Sequence, residues 1–136
     1  MIDNTIREGG CLCGKVRFKV FGKPVRANIC HCSQCRKAAG APYLALAEFP
    51  AEAVTWTKGL PAYFGSSDAA ERGFCEHCGT TLTFCYIDGD TIDLSISAFD
   101  DPSAFPPEEH LWISSKVSWV TLDDDLPKYP RERGSS

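Results

Sequence analysis

Long apolar runs are missing from this 136-residue sequence: nothing approaches the ~18 apolar residues that a membrane helix needs. The opening stretch, Met1-Ile2-Asp3-Asn4-Thr5-Ile6-Arg7-Glu8-Gly9-Gly10, lacks the apolar centre of a signal peptide, so a soluble, cytoplasmic protein with no membrane partner is expected. A basic excess is also missing. Lys plus Arg number 14 against 18 Asp plus Glu, a formal charge of -4, which argues against a nucleic-acid partner because a phosphate backbone is bound by surplus cations. No repeat and no low-complexity linker interrupts the chain. Its 43% hydrophobic and 24% charged content is ordinary for a globular protein and excludes a disordered tail, a collagen repeat or a coiled coil. At just under the roughly 150 residues usual per domain, residues 1-136 are expected to form one.

Helical pattern is scarce and strand pattern is not. Lys15-Val16-Arg17-Phe18-Lys19-Val20 alternates basic and apolar residues, as a strand with one wet face does. Tyr43 to Phe49 and Val54 to Trp56 read as further strands between Pro42, Pro50 and Gly59. Leu82 to Ile87 and Thr91 to Ser97 flank Asp88-Gly89-Asp90, where the Asp-Gly pair is expected to supply the positive φ of a tight hairpin. Val117 to Leu122 is read as a last strand, and Pro102 to Pro107 as an ordered loop. Ser33 to Ala39 predicts two helical turns with Ser33 as N-cap and Gly40 as the left-handed terminator. The class is mainly β with one or two short helical turns.

Cysteine is abundant, with eight residues, seven of them in three clusters: Cys11-Leu12-Cys13-Gly14, Cys30-His31-Cys32-Ser33-Gln34-Cys35 and Cys75-Glu76-His77-Cys78-Gly79. In a reducing compartment such spacing points to metal ligands before disulfides, and Cys-x-Cys pairs are too strained to bridge easily. A structural zinc is closed by four ligands and a catalytic zinc holds three, so the seven divide as four plus three. Cys30, Cys32 and Cys35 can form one local three-thiolate face, whereas Cys11/Cys13 and Cys75/Cys78 are two-toothed clips that need each other. A single ribbon of Cys32/Cys35 with Cys75/Cys78 would span 39 intervening residues where roughly 15-20 are usual, and would strand the remaining three.

His31 lies between two ligands, so alternation turns its ring away from the metal, to the surface or behind the site, with a role as fourth ligand as the alternative. His77 is expected to be exposed. Cys85 reads as a strand cysteine packed as a small hydrophobe, with a resolving thiol as the alternative. His110 suits a structural hydrogen bond or acid-base work, and Trp56, Trp112 and Trp119 read as core or pocket wall. Residues 1-85 hold ten Lys/Arg and seven Asp/Glu, while residues 86-127 hold ten Asp/Glu and only Lys116. Asp123-Asp124-Asp125 is read as a solvated turn, with a cation site as the minor reading. Three thiolates on Zn²⁺ leave a net charge of -1 and make the ion a poor acidifier of water, but a good partner for a substrate thiolate. That chemistry points to making or breaking a carbon-sulfur bond, with Arg36 and Lys37 placed to attract an anionic thiol.

The motifs Gly10-Cys11-Leu12-Cys13-Gly14-Lys15-Val16, Cys30-His31-Cys32-Ser33-Gln34-Cys35-Arg36-Lys37 with Gly40, and Phe74-Cys75-Glu76-His77-Cys78-Gly79-Thr80 resemble the glutathione-dependent formaldehyde-activating enzyme family, also called the centromere protein V domain family, over about residues 8-130. The resemblance implies an Mss4-like β-tent stabilised by zinc, a structural zinc at Cys11, Cys13, Cys75 and Cys78, and a catalytic zinc at Cys30, Cys32 and Cys35. It also implies a carbon-sulfur lyase acting on a small thiol and an aldehyde or their adduct, as in S-hydroxymethylglutathione. No glutathione-binding motif is matched, and Arg36, Lys37 and His110 stand as candidate substrate contacts. The alternatives are a non-catalytic zinc-stabilised binding module and a methionine-sulfoxide-reductase-like enzyme using Cys85.

Overall fold

The computed structural model describes residues 4-136; Met1, Ile2 and Asp3, the start of the segment read for a leader, lie outside the described residues. Ten strands are named here in chain order: β1 (Ile6–Gly10), β2 (Arg17–Phe21), β3 (Arg26–Cys30), β4 (Leu44–Pro50), β5 (Val54–Lys58), β6 (Ala62–Gly65), β7 (Ala70–Phe74), β8 (Thr81–Tyr86), β9 (Thr91–Ser95) and β10 (His110–Leu111). One α-helix, α1 (Ser33–Ala39), and short 3-10 turns complete the described residues, so the class is mainly β, as expected. Two open sheets form, one of order β1-β2-β5 and one of order β10-β3-β4-β9-β8-β7-β6. All pairings are antiparallel except β10 with β3.

The alternation around Lys15 produces β2, where Phe18 and Val20 are fully buried and Lys19 faces water. Those two side chains meet Ala27, Ala47, Phe49 and Leu94 from the larger sheet, and this layer between the sheets is the main core. Aromatic pairs lock it: the Phe18 ring meets those of Trp56 and Phe99 edge-on, with centres 5.8 and 5.1 Å apart, and the Phe99 and Phe105 ring centres lie 4.4 Å apart at a tilt of 50°. Such pairs contribute roughly 0.5-1.5 kcal/mol each beyond area burial. Strand β4 is central and buried on both faces, with Ala47 and Phe49 toward the core and Leu46 and Glu48 toward the opposite face. That opposite face carries the site described below.

Several local readings need correction. The hairpin of β8 and β9 forms around Asp88-Gly89-Asp90, but Gly89 does not take a positive φ; the turn closes instead by donation from the Gly89 N–H to the Tyr86 carbonyl at 3.0 Å. The stretch from Val117 to Leu122 is a turn rather than a strand, because Lys116 Nζ curls back to the carbonyls of Val117 (3.1 Å) and Val120 (2.6 Å). Trp119 is 73% exposed and joins neither core nor cavity wall of the cysteine face. Helix α1 is capped by Cys32, whose sulfur accepts the Cys35 N–H at 3.3 Å, and not by Ser33; Gly40 ends it in the left-handed conformation, as its position predicts. Among the described residues no helix is long and apolar enough to cross a membrane.

Candidate metal centre and its cavity

Two cysteine groups assemble, and they divide the seven clustered residues as spacing suggests: Cys11, Cys13, Cys75 and Cys78 in one, Cys30, Cys32 and Cys35 in the other, with the sulfurs of each group within 4.8 Å of one another. All eight cysteines are free thiols. In the first group Cys11 Sγ lies 3.6 Å from Cys13 Sγ, and Cys13 Sγ lies 3.8 Å from Cys75 Sγ. Sulfurs at about 2.3 Å from a tetrahedral zinc sit about 3.8 Å apart, so the donor set fits that ion.

The two halves of this group have matching turns. Gly14 and Gly79 each follow the second cysteine and take φ of 79° and 81°, a region costly for other residues. Each donates its N–H to the carbonyl of the first cysteine, Gly14 to Cys11 at 3.1 Å and Gly79 to Cys75 at 2.7 Å. Val16 N–H then reaches Cys11 Sγ at 3.3 Å. Leu12 N–H donates across to Thr80 Oγ1 at 3.0 Å, tying the turns together. Thr80 also donates to Cys78, and these hydrogen bonds hold the Cys78 thiol down at about 5.

The second group sits where β3 runs into α1. Cys30 and Cys35 are buried, Cys32 is half-buried, and Leu44 and Leu46 pack against them. Hydrogen bonds from Cys30 and then Cys35 pull Cys32 down to about 2, helped by the Cys35 N–H and the positive charge of Arg72. The neighbouring sulfurs and burial push Cys30 far above the ordinary thiol range. These hydrogen bonds and the Arg72 charge all favour the thiolate form of Cys32.

This second group opens into a cavity of about 530 Å³ on the outer face of the larger sheet. Its floor is a transverse row set by strand register: Arg26 of β3 opposite Glu48 of β4, Glu48 opposite Asp93 of β9, Asp93 opposite Phe84 of β8, and Phe84 opposite Arg72 of β7. Arg26 pairs with Glu48 at 3.0 Å, and Thr91 donates to Glu48 at 2.9 Å. Burial, and then the charge of Glu48, push the Asp93 carboxyl up to about 7. Trp112, Phe84, Leu46 and Leu111 supply apolar wall. Arg72 spans the corner, its guanidinium 4.8 Å from the Phe84 ring centre and its Nη2 3.6 Å from Cys35 Sγ.

His31 is fully buried and belongs to neither cysteine group; its Nε2 faces His110 Nδ1 at 2.9 Å, behind the cluster. Burial and the neighbouring charges of His110, Lys116 and Arg36 keep it down at about 4. His110 Nε2 in turn donates to Asp124 Oδ2 at 2.8 Å, so one member of the Asp123-Asp124-Asp125 run is an acceptor for a buried ring rather than only a solvated charge. Neither His110 nor Arg36 nor Lys37 lines the cysteine cavity; Arg36 donates to the His31 carbonyl at 3.2 Å, and Lys37 borders a shallow hollow with Trp119. His77 is exposed. Cys85 is half-buried on the cavity wall, 3.9 Å from Glu71, rather than packed in the core. Arg72, which sequence reading passed over, is the cation that meets the cluster.

A family model described as glutathione-dependent formaldehyde-activating enzyme matches residues 6-115. An uncharacterized lyase of Schizosaccharomyces pombe is 37% identical over 133 residues, covering 86% of this chain and 92% of that protein. A Halomonas elongata protein named "Putative glutathione-dependent formaldehyde-activating enzyme" is 32% identical over 126 residues, covering 85% and 80%. Among solved structures, one from Rhodobacter sphaeroides shares the fold with a TM-score of 0.57 at 17% identity, over 89% of this chain and 98% of that one.

Proposed function

Since the chain belongs to the glutathione-dependent formaldehyde-activating enzyme family, we propose that it is a zinc-dependent carbon-sulfur lyase that joins a small thiol to an aldehyde, or cleaves their adduct. The reaction is an addition: the thiolate sulfur attacks the carbonyl carbon, a carbon-sulfur bond forms, and the oxygen takes up a proton; cleavage is the reverse. The observation that carries the reading is the three-cysteine group facing a cavity, against the four-cysteine group whose turns are tied to each other. The cavity group suits an open catalytic position and the tied group a closed structural one.

Zinc held by Cys30, Cys32 and Cys35 would keep a substrate sulfur as thiolate at neutral pH. The chain's own residues do the remainder. Arg72, 3.6 Å from Cys35 Sγ, sets a positive charge beside the thiolates, which would otherwise leave the centre at a net -1. Trp112, Phe84, Leu46 and Leu111 line the approach with apolar surface, and lower local polarity strengthens charge interactions there. Cys11, Cys13, Cys75 and Cys78 would hold a second zinc that fastens the β1-β2 turn to the β7-β8 turn.

The test is NMR exchange spectroscopy on formaldehyde, glutathione and their hemithioacetal with the zinc-loaded protein, with other thiols and aldehydes in parallel. Exchange faster than the spontaneous reaction for at least one pair is expected. No acceleration for any pair, with two zinc ions confirmed per chain, would leave a zinc-stabilised binding module.

A further inference from the structure

Among the described residues one that is not glycine takes a left-handed backbone, and it stands on the wall of the three-cysteine cavity: Trp112, with φ of 59° and ψ of 42°. An L residue in that region crowds its Cβ against the backbone, so a bulky one stays there only where its surroundings impose it. They do so from two sides. On one, Leu111 pairs with Cys30 and accepts the His31 N–H at 3.0 Å, which brings the next residue to the cluster, where the half-buried indole packs against Cys30 and Cys35 and their apolar neighbours. On the other, residues 124-133 run along β10 and the turn after it. The Trp112 N–H donates to the Arg131 carbonyl at 2.9 Å, the Ile113 N–H to that of Tyr129 at 3.0 Å, and Ser114 Oγ to that of Pro130 at 2.6 Å. Arg133 fastens the end, its Nε donating to the buried Glu109 carboxylate at 2.9 Å. This segment lies beyond residues 6-115, the span that the family model matches.

We propose that residues 124-133 are a positioning strap: they hold Trp112 in its left-handed conformation so that the indole is a fixed apolar seat for a hydrocarbon group carried by the thiol. The inference rests on the thiol reading above and adds a preference for apolar bulk. Glycine would take this turn without strain, so what tryptophan adds at the position is its ring on the cavity wall. A ring already fixed by the strap loses little freedom when a ligand settles on it, and more of the contact then appears as affinity. Arg133 and Ser114 act through Trp112 and are positioning residues; the indole is what the thiol touches.

Isothermal titration of the zinc-loaded protein with ethanethiol and cyclohexylmethanethiol, two alkyl thiols of similar acidity, reads the seat apart from turnover. Wild type should bind the cyclohexyl thiol at least about 10-fold more tightly, the gain for burying a hydrocarbon ring. Trp112→Ala should lower that ratio about 5-fold or more. Arg133→Ala, and Ser114→Ala as the milder variant should the first misfold, should each lower it at least about 2-fold while ethanethiol affinity and zinc content hold. Both should speed hydrogen exchange at the Trp112 amide. General loosening of the fold would instead weaken both thiols together. Strain is read from urea denaturation, where the folding equilibrium constant of Trp112→Gly should exceed that of Trp112→Ala about 3- to 10-fold, since only glycine takes a positive φ freely. No preference for the cyclohexyl thiol in wild type, an unchanged ratio or an unchanged Trp112 amide in the strap variants, or equal stability of the glycine and alanine variants would overturn the strap. If exchange with formaldehyde is accelerated yet the ratios do not move, only the strap falls. If no thiol is turned over yet the ratios fall in the variants, only the lyase reading falls.

Discussion

His31 Nε2 and His110 Nδ1 face each other at 2.9 Å with both rings fully buried, and the far side of His110 is fixed by Asp124. A carboxylate only accepts, so His110 donates from Nε2; in the neutral ring its Nδ1 then accepts from His31 Nε2, and in the imidazolium its Nδ1 donates to His31 Nε2. One exposed carboxylate thereby orients, through His110, a ring flanked in sequence by Cys30 and Cys32.

Removing the middle of this chain should be costly. His110→Ala leaves His31 Nε2 buried without a partner and opens a void, for a loss of about 2-4 kcal/mol in urea denaturation. A midpoint equal to wild type would show that the rings are not coupled to folding.

Cys75→Ser should unfold the domain or lower its melting temperature by more than 10 °C or so, because metal affinity at a site built by folding becomes folding energy. Native mass spectrometry of wild type should give two metal ions per chain, and the variant at most one. Retained stability together with two bound ions would contradict the clip.

For Cys32→Ser the outcome should differ in kind. Loss of the second metal and of at least about 100-fold in exchange rate is expected, with the melting temperature lowered far less than in Cys75→Ser. Calorimetry beside the exchange assay checks this, and equal destabilisation by both variants would remove the distinction between the sites.

The Asp93 carboxyl lies at about 7 in the folded protein against 3.8 as a free group, pushed up by burial and by Glu48, with Arg26 opposing. Between those values the folded chain binds more protons than the unfolded one. Its contribution to stability is therefore complete below about pH 4 and lost as pH rises to 7. Asp93→Asn carries no such loss, so its stability relative to wild type should climb from pH 4 to 7 and level off above. Denaturation curves for both proteins at pH 4.5, 6 and 8 measure the difference; a constant gap would show that Asp93 titrates normally.

The cysteine partition and β2 were legible because spacing and alternation are local signals. Strand β3 was not, since Ala27 and Asn28 are both buried and leave no period of two to read. The cap of α1 was misplaced by one residue because the usual oxygen-bearing cap, Ser33, stands next to Cys32, whose sulfur takes the role. Arg36 and Lys37 drew attention by adjacency to the cluster, while the cation that reaches it, Arg72, lies 37 positions from Cys35. The strand order β3-β4-β9-β8-β7 brings it there, a long-range pairing that no local pattern around Arg72 announces.

The pairing of Cys13 with Cys75 closes a loop of 62 residues that contains the whole three-cysteine cluster. Drawing such ends together from a random chain costs on the order of 4 kcal/mol of entropy. A cross-link made of four thiolates and a metal answers to solution conditions with the opposite sign from a disulfide. With a metal bound at Cys11, Cys13, Cys75 and Cys78, reductants would leave the link closed, whereas oxidants, chelators and acid would each release it and hand that entropy back to the unfolded chain.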